Sequence, residues 1–246
     1  MTGWIDLHCH YVPGVDDGVT TLDDALALLR ALRAIGFETV VATPHMRPAL
    51  WDNRAAPLRE AFRAVHEATV AAGDLLPAIE LSAEHFLDDI VYARLLQGEG
   101  LPYRAGRSML VEFAYEALPV NLAARFFDLR MKRLRPVVAH PERYEPFWRK
   151  PAAAAESMRR AGGVLLLDLG ALVGKYGRKA QATAEVLLEE QAYYAACTDA
   201  HAPSDAAEMP PAIQRLGALV GAEEVDRLLR TGPKEVLEGR IFDEYD

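Results

Sequence analysis

Short apolar runs alternate along the chain with longer segments of helical period. The predicted strands cover residues 4–7, 39–43, 78–82, 108–113, 136–140, 164–168 and 193–198. Most of these runs are continuously apolar, which is typical of strands that are buried on both faces of a parallel sheet.

The best-defined helical segment covers residues 22–35. Leucines at positions 22, 26, 29 and 32 follow the helical period, Thr20 and Thr21 are candidate N-caps, and Gly36 follows as a C-terminal cap. Further helices are predicted at residues 54–72, 88–96, 120–133, 151–161, 179–190, 210–219 and 223–230.

The seven successive strand–helix units predict the α/β class, with the strands in a parallel barrel that is closed or distorted. An open, doubly wound sheet is the alternative. We expect residues 1–246 to form a single domain, because no repeat or low-complexity linker interrupts the pattern.

Composition narrows the functional classes. Among 246 residues, 27 Lys and Arg against 36 Asp and Glu give a formal charge of −9, which argues against a nucleic-acid partner. The apolar runs are too short for membrane insertion. Two cysteines, Cys9 and Cys197, cannot build a disulfide framework and predict the reduced thiols of a cytoplasmic protein.

The histidines are the most informative residues. Four predicted strands run directly into one, which places five histidines at strand ends: His8, His10, His45, His140 and His201. The carboxyl ends of barrel strands converge on one face, and that face carries the active site. We therefore expect these histidines to meet in space.

The spacing of His8 and His10 puts both imidazoles on the same side of a strand. Carboxylates follow the strands as well, at Asp16 and Asp17, Glu84, Glu112 and Asp199. A mixture of His, Asp and Glu without a thiolate cluster suits Mn, Fe or Zn, and the number of candidates indicates two or three ions. Clustered ions polarise phosphoryl oxygens and supply hydroxide near neutral pH.

Three further residues are expected to lie outside such a site. His66 falls within a helical pattern and is predicted to be solvated. His85 follows Glu84 directly and should face away from it, and Cys9 alternates away from His8 and is interpreted as a packing residue.

These motifs resemble the PHP (polymerase and histidinol phosphatase) superfamily, and most closely its bacterial CpsB/YwqE-type branch of metal-dependent tyrosine-protein phosphatases. The resemblance is carried by DLHCH at 6–10, PGVDDG at 13–18, TPH at 43–45, AE at 83–84, VEF at 111–113, HPERY at 140–144 and DAH at 199–201. It implies a distorted (β/α)7 barrel of the PHP type with three metal ions at the carboxyl ends of the strands.

The resemblance also implies how the ligands are shared. One ion would be held by His8, His10, Glu84 and Asp199, a second by Glu84, Glu112 and His140, and a third by Asp16 or Asp17 with His45 and His201. Asp6 would orient a ligand histidine from behind.

In this branch, arginines near the metals bind the phosphate group. Arg143 matches one of them, and Arg47 is the second candidate, since a guanidinium can donate two parallel hydrogen bonds to phosphate. Members often carry another arginine about five residues after the last histidine, whereas residues 202–206 here contain no basic side chain.

The resemblance implies a protein-tyrosine phosphatase linked to capsule or exopolysaccharide regulation. A metal-bridging hydroxide, with Mn as the expected metal, would attack phosphorus, and Arg143, Arg47 and Asp199 would be the catalytic side chains. The expected partner is a phosphotyrosine protein, in particular a bacterial tyrosine kinase. A small-molecule phosphomonoesterase of the histidinol phosphatase kind and a non-catalytic kinase-binding module are the alternatives, and oligomerisation is left open.

Overall fold

A computed structural model of the chain describes residues 3–73 and 75–241. Its strands are β1 Trp4–Cys9, β2 Phe37–Ala42, β3 His45–Met46, β4 Ala78–Leu81, β5 Glu84–Phe86, β6 Ser108–Glu112, β7 Arg135–Ala139, β8 Val164–Asp168 and β9 Tyr193–Cys197. Each predicted strand is present, with ends that differ from the prediction by three residues or fewer.

All the described strand pairs are parallel, in the orders β1-β2-β4 and β3-β5-β6-β7-β8-β9. β3 continues the course of β2 beyond Pro44, which has no N–H to donate to a ladder. β5 continues β4 in the same way, and Ser82 N still donates to Ala42 O at 2.8 Å between them. The two sheets thus supply seven strand positions in sequential order.

The first and last positions meet at their carboxyl ends. Asp199 N donates to His8 O at 3.0 Å and His10 N donates to Ala200 O at 2.9 Å, around a parallel bridge between Cys9 and Ala200. This sequential order confirms the predicted parallel α/β architecture. An open doubly wound sheet would instead reverse its strand order in the middle.

The helices lie between the strands. They are α1 Leu22–Ile35, α2 Ala55–Ala72, α3 Asp89–Leu96, α4 Leu122–Met131, α5 Glu145–Arg149, α6 Pro151–Arg160, α7 Gly177–Glu189, α8 Met209–Asp226 and α9 Gly232–Glu238. None of the helices in the described part of the chain combines the length and apolar character that a bilayer crossing requires.

Helix α1 has the predicted bounds and caps. Thr21 Oγ1 accepts from Asp24 N at 3.1 Å, and the N–H of Gly36 donates to the carbonyls of Leu32 and Arg33. Its buried face differs in part from the predicted one, because Leu22 is 40% exposed. Ala25 and Leu28 are buried instead, together with the predicted positions 29 and 32.

The carboxyl-terminal region departs most from the prediction. The two helices predicted at 210–219 and 223–230 form one element, α8, interrupted at Gly221, and a π-turn over Arg227–Thr231 follows. Helix α9 was not predicted. It buries Val236 and Leu237 in one apolar cluster with the first strand and lies close to Tyr194, whose carbonyl oxygen leaves no room for a side chain at position 232.

Candidate metal centre

Nine metal-ligating side chains gather where the strands end on the carboxyl side of the sheet. They are His8, His10, Asp17, His45, Glu84, Glu112, His140, Asp199 and His201. Most of them are buried, whereas the Asp17 side chain is 48% exposed and the His201 side chain is 29% exposed. Nine of the ten ligands proposed from the sequence therefore lie together.

The nine side chains form four overlapping groups in which all ligand atoms lie within 4.8 Å of one another. The groups are His8–His10–Asp199, His8–Glu84–His140, His45–Glu84–Glu112 and His10–Asp17–His45–His201. Four residues, namely His8, His10, His45 and Glu84, each belong to two groups. Such sharing is the arrangement that a cluster of adjacent ions requires.

Backbone conformation helps to bring the side chains inward. His140 and Asp199 have φ angles of 34° and 46°, in the left-handed region that residues other than glycine seldom adopt. His140 directly follows β7 and Asp199 lies two residues beyond the end of β9, so both residues stand at the carboxyl end of the sheet. Strain of this kind is concentrated at functional sites.

Glu84 lies at the centre of the cluster. Its Oε1 is 3.3 Å from His8 Nε2 and 3.0 Å from His140 Nε2. Its Oε2 is 3.0 Å from His45 Nδ1 and 3.6 Å from His10 Nε2. The two oxygens thus face different pairs of histidines, which is the geometry of a bridging carboxylate.

The grouping of Glu112 differs from the one that the resemblance implies. Glu112 Oε1 lies 3.1 Å from His45 Nδ1, and the two residues share a group with Glu84. His140 belongs instead to the group of Glu84 and His8. In the sheet, β5 lies between β3 and β6, and His45 pairs directly with Glu84.

The first-strand histidines are each oriented by a hydrogen bond on the ring nitrogen that faces away from the cluster. His8 Nδ1 and Thr43 Oγ1 are 2.6 Å apart, which turns His8 Nε2 toward Asp199 Oδ1 at 3.1 Å. His10 Nδ1 and Asp16 Oδ2 are 2.8 Å apart. A partner of this type fixes the ring and its tautomer for metal binding.

The geometry separates Asp16 from Asp17. Both carboxylate oxygens of Asp16 are used within the loop, since Oδ1 accepts from Gly18 N and Oδ2 accepts from His45 N as well as facing His10. Asp17 Oδ1 lies 3.4 Å from His45 Nε2. Of the two, Asp17 is therefore the ligand candidate, and Asp16 supports His10 from behind.

Asp6 also differs from expectation. Its Oδ1 accepts from the backbone N–H groups of His8 and Thr198, and its Oδ2 accepts from Thr198 Oγ1 at 2.5 Å. It therefore holds the backbone of β1 to the end of β9 and does not contact a ligand imidazole. Burial raises the pKa of Asp6 to about 6 despite these donors.

The carboxylates and the imidazoles of the cluster shift one another's pKa values in different directions. Although burial opposes it, His8 and His45 hold the pKa of Glu84 well below its ordinary range. Burial likewise opposes the charged form of His10, but Asp16 and Asp199 raise its pKa to about 10. Burial, together with Arg143, lowers the pKa of His140 to about 4. A divalent cation would replace the bound protons.

Several buried polar atoms of the cluster have no hydrogen-bond partner among the described residues. They include Nε2 of His8 and His10, Nδ1 of His45, Oε1 of Glu112 and Oδ1 of Asp199. Buried polar atoms are ordinarily paired, because an unpaired one costs about 1–3 kcal/mol. All five face the cluster interior, so that the donor set fits bound cations.

Arg143 stands at the edge of the cluster between two tyrosines. Its Nη1 donates to Asp199 Oδ2 at 2.7 Å, and its Nη2 donates to the hydroxyl of Tyr115. The guanidinium carbon lies 4.9 Å from the centroid of the Tyr115 ring and 4.2 Å from that of Tyr176. Stacking and charge together fix the guanidinium beside the cluster.

Asp168 is a further residue of the site that was not predicted from the sequence. This residue ends β8 and is fully buried, and its Oδ2 lies 3.8 Å from Arg143 Nη1. Its Oδ1 accepts from Gly170 N at 2.8 Å. The available signal was its place at the end of a strand, the same signal that identified Glu112.

Arg47 acts on Glu112: burial raises the pKa of the Glu112 carboxyl, and the charge of Arg47 opposes that rise. Its guanidinium carbon is 4.2 Å from the centroid of the Phe86 ring, and its backbone pairs with Trp51 in a tight turn. The indole of Trp51 stacks on the His45 imidazole with 4.9 Å between centroids and 9° between planes. The cluster is thus flanked by two arginines and by aromatic rings.

Asp205 stabilises the loop after His201, in which residues 202–206 include no basic side chain. Asp205 Oδ2 accepts from His201 N at 2.8 Å and from Ala202 N at 3.0 Å. Its Oδ1 pairs with Lys175 Nζ at 3.1 Å. Lys175, next to Tyr176, therefore brings a cation to this loop from a different part of the chain.

The residues expected outside the cluster lie outside it. His66 is exposed on α2. His85 is buried, with Nδ1 bonded to Leu110 O and Nε2 accepting from Leu101 N. The Cys9 thiol donates to Ala200 O within the apolar core.

Comparisons with known proteins agree with the fold and the cluster. The family model for capsular polysaccharide synthesis proteins, CpsB/CapC, matches residues 4–238. The tyrosine-protein phosphatase YwqE of Bacillus subtilis is 28% identical over 201 residues, which cover 80% of this chain and 77% of that protein. The tyrosine-protein phosphatase CpsB of Streptococcus pneumoniae is 30% identical over 142 residues, 57% of this chain and 58% of that protein.

A solved structure extends the similarity to nearly the whole chain. It belongs to the crystal structures of YwqE from Bacillus subtilis and CpsB from Streptococcus pneumoniae, which are called unique metal-dependent tyrosine phosphatases. It superposes with a TM-score of 0.88 at 26% identity and covers 98% of this chain and 97% of its own.

Proposed function

The chain belongs to the CpsB/CapC family of capsular polysaccharide synthesis proteins, and from this premise we propose that it is a metal-dependent phosphatase of phosphotyrosine in proteins. The observation that carries the proposal is the set of four overlapping ligand groups beside Arg143. The names of the relatives YwqE and CpsB support the same activity.

The proposed cofactors are two to three divalent ions, with Mn as the first choice and Fe or Zn as alternatives. The groups formed by the described residues offer imidazole and carboxylate ligands and contain no cysteine, which suits these metals. When bound, such ions polarise phosphoryl oxygens and lower the pKa of water. The proposed ligands are the nine clustered residues, with Glu84 as the bridging carboxylate.

The reaction replaces one bond to phosphorus by another. Water attacks phosphorus, the bond to the tyrosine oxygen breaks, and phosphate and a tyrosine hydroxyl are formed. We assign to Arg143 and Arg47 the binding of the equatorial phosphoryl oxygens, since both are held beside the cluster by stacking. We assign Asp199 two roles. One oxygen faces His8 and would bind a metal ion, and the other accepts from Arg143 and positions it.

A cysteine nucleophile is not part of the proposal. Burial raises the pKa of the Cys9 and Cys197 thiols well above the ordinary value, so neither thiol ionises at neutral pH. Both are buried donors to backbone carbonyls, Cys9 to Ala200 O and Cys197 to Leu167 O. Two unoxidised thiols also support the proposed cytoplasmic location.

The proposed partner is a phosphotyrosine protein, in particular a bacterial tyrosine kinase of capsule or exopolysaccharide synthesis, as the family description suggests. The aromatic side chains of Trp51, Tyr115 and Tyr176 around the cluster support a substrate with an aryl group. We further propose that residues 1–246 act as a single domain, which the family match over residues 4–238 supports.

One observation favours a second candidate, a small-molecule phosphomonoesterase of the histidinol phosphatase kind. The loop after His201 carries Asp205 in place of a cation, and Asp205 already neutralises Lys175. A site with fewer free cations suits a substrate that itself carries positive charge.

The two candidates are separated by comparing kcat/KM for a phosphotyrosine peptide and for histidinol phosphate, with Mn present. The proposal predicts a higher value for the peptide. A higher value for histidinol phosphate would support the second candidate, and no turnover of either would contradict both.

A further inference from the structure

Four arginines line a cavity at the amino ends of β6 and β7, opposite the ends that carry Glu112 and His140. The cavity has a volume of about 370 Å³ and no acidic side chain among its lining residues in the described part of the chain. Its polar lining consists of Arg107, Ser108, Arg130, Arg133 and Arg135. This is a concentrated positive charge in a chain of formal charge −9.

Close backbone approaches hold the side chains of this cavity. A Cβ at Gly239 would lie 2.7 Å from Cβ of Arg107, and a Cβ at Gly162 would lie 2.6 Å from Cδ of Arg130. Both glycines also have positive φ angles, of 64° and 95°. The aliphatic parts of Arg107 and Arg130 therefore occupy space that a side chain at position 239 or 162 would fill. The absence of side chains at these two glycines allows the arginines to lie there.

A buried hydroxyl adds an independent sign of a ligand. Ser108 is 1% exposed, and its Oγ has no hydrogen-bond partner among the described residues. Ser108 pairs in register with Arg135 at the start of the two strands, so that the hydroxyl and the guanidinium belong to the same wall. A buried donor without a partner is costly unless a ligand satisfies it.

We propose that this cavity binds a phosphate-bearing small molecule with at least two negative charges. Guanidinium groups recognise phosphate oxygens through paired hydrogen bonds, and four arginines line this cavity. Leu134 and Ile241 line the same cavity and can contact an apolar part of the ligand. Because Arg130 and Arg135 also make other contacts, the proposal relies on the exposed side chains of Arg107 and Arg133.

The site is distinct from the metal centre and does not depend on the proposed activity. The test is chemical labelling of arginines with phenylglyoxal in the metal-loaded chain of 246 residues, followed by peptide mass spectrometry. Inorganic phosphate is the probe, and chloride at equal ionic strength is the reference. We expect phosphate to slow the labelling of Arg107 and Arg133 several-fold and to leave the exposed Arg63 on α2 unchanged. Equal labelling of Arg107 and Arg133 in both salts would overturn the proposal.

A second arm distinguishes a free ligand from the chain's own acidic residues that follow Ile241. In a variant with Asp243→Asn, Glu244→Gln and Asp246→Asn, phosphate should protect Arg107 and Arg133 as it does in the parent protein. Protection that occurs only in this variant would identify those carboxylates as the occupant and would overturn the proposal.

Discussion

Asp199 joins Arg143 to the histidine cluster. Its Oδ2 accepts from Arg143 Nη1 at 2.7 Å, while its Oδ1 lies 3.1 Å from His8 Nε2. A single carboxylate thus fixes the distance between the groups assigned to the metals and the group assigned to the phosphate.

Replacing Arg143 by lysine should impair hydrolysis although the charge is kept. The two terminal nitrogens of the planar Arg143 guanidinium donate to Asp199 and to Tyr115. The ammonium group of a lysine, on a flexible side chain, does not reproduce this geometry. We expect kcat for a phosphotyrosine peptide to fall by about 10²-fold, as for the loss of a transition-state donor. Arg149→Lys, an exposed change at the end of α5, is the control and should leave kcat unchanged.

Substitution of Asp168 by asparagine tests a positioning role. The amide keeps the acceptor for Gly170 N but removes an ionisable carboxyl 3.8 Å from Arg143 Nη1. We expect KM to rise more than kcat falls, with bound metal unchanged by elemental analysis. Loss of metal together with activity would show that Asp168 acts on the cluster and not through Arg143.

The neighbouring Asp16 and Asp17 should respond differently to the same change. Asp17→Asn should lower the number of bound ions and leave the thermal midpoint of the metal-free protein unchanged, because Asp17 is half-exposed. Asp16→Asn should destabilise the fold by about 1–3 kcal/mol. If the amide NH₂ replaces Asp16 Oδ2, it cannot accept from His10 Nδ1 or from the backbone N–H of His45, so a buried donor is left unpaired. Equal metal loss without destabilisation in both variants would contradict the assignment.

Metal binding should release protons near neutral pH. Asp16 and Asp199 raise the pKa of His10 from 6.5 to about 10 in the metal-free protein, against the effect of burial. His10 must lose its second proton to bind a cation, so metal affinity should increase as the pH rises from 6 toward 10. Titration calorimetry in buffers of different ionisation enthalpy measures the protons released, and an affinity that is independent of pH would refute this.

The raised pKa of His10 also makes the stability of the metal-free protein depend on pH. Because the folded pKa of His10 lies above its unfolded value of 6.5, its stabilising effect is complete below that pH and is lost as the pH rises through about 10. The thermal midpoint of the metal-free protein should therefore fall across this alkaline range. His10→Gln should reduce that pH dependence, which circular dichroism melts can follow.

The sequence predicted the strands and all nine clustered residues. This was possible because the residues that follow the strands of a parallel sheet come together at one edge of that sheet. The separation of Asp16 from Asp17 was not predictable, since it depends on which side chain turns toward His10 within one loop. Neither was the left-handed conformation of His140, which a histidine seldom adopts.

Longer-range relations were also beyond the sequence pattern. Lys175 and Asp205 meet although thirty positions separate them, and only the folded chain shows that a cation reaches the loop after His201. Helix α9 was missed because its apolar residues are few, and it is stabilised by packing on the strands. The break between β2 and β3 at Pro44 could have been predicted from the missing N–H.

We expect metal ions held around Glu84 to enable hydrolysis of phosphotyrosine. The decisive measurement is the rate of phosphate release from a phosphotyrosine peptide by the metal-free protein, before and after Mn is added, in the parent chain and in Glu84→Gln. Release should be negligible without metal and fully restored by Mn in the parent. It should not recover in Glu84→Gln, which keeps the shape of the side chain but loses its charge between His8 and His45. Undiminished release by the metal-free parent, or by Glu84→Gln with Mn, would contradict it.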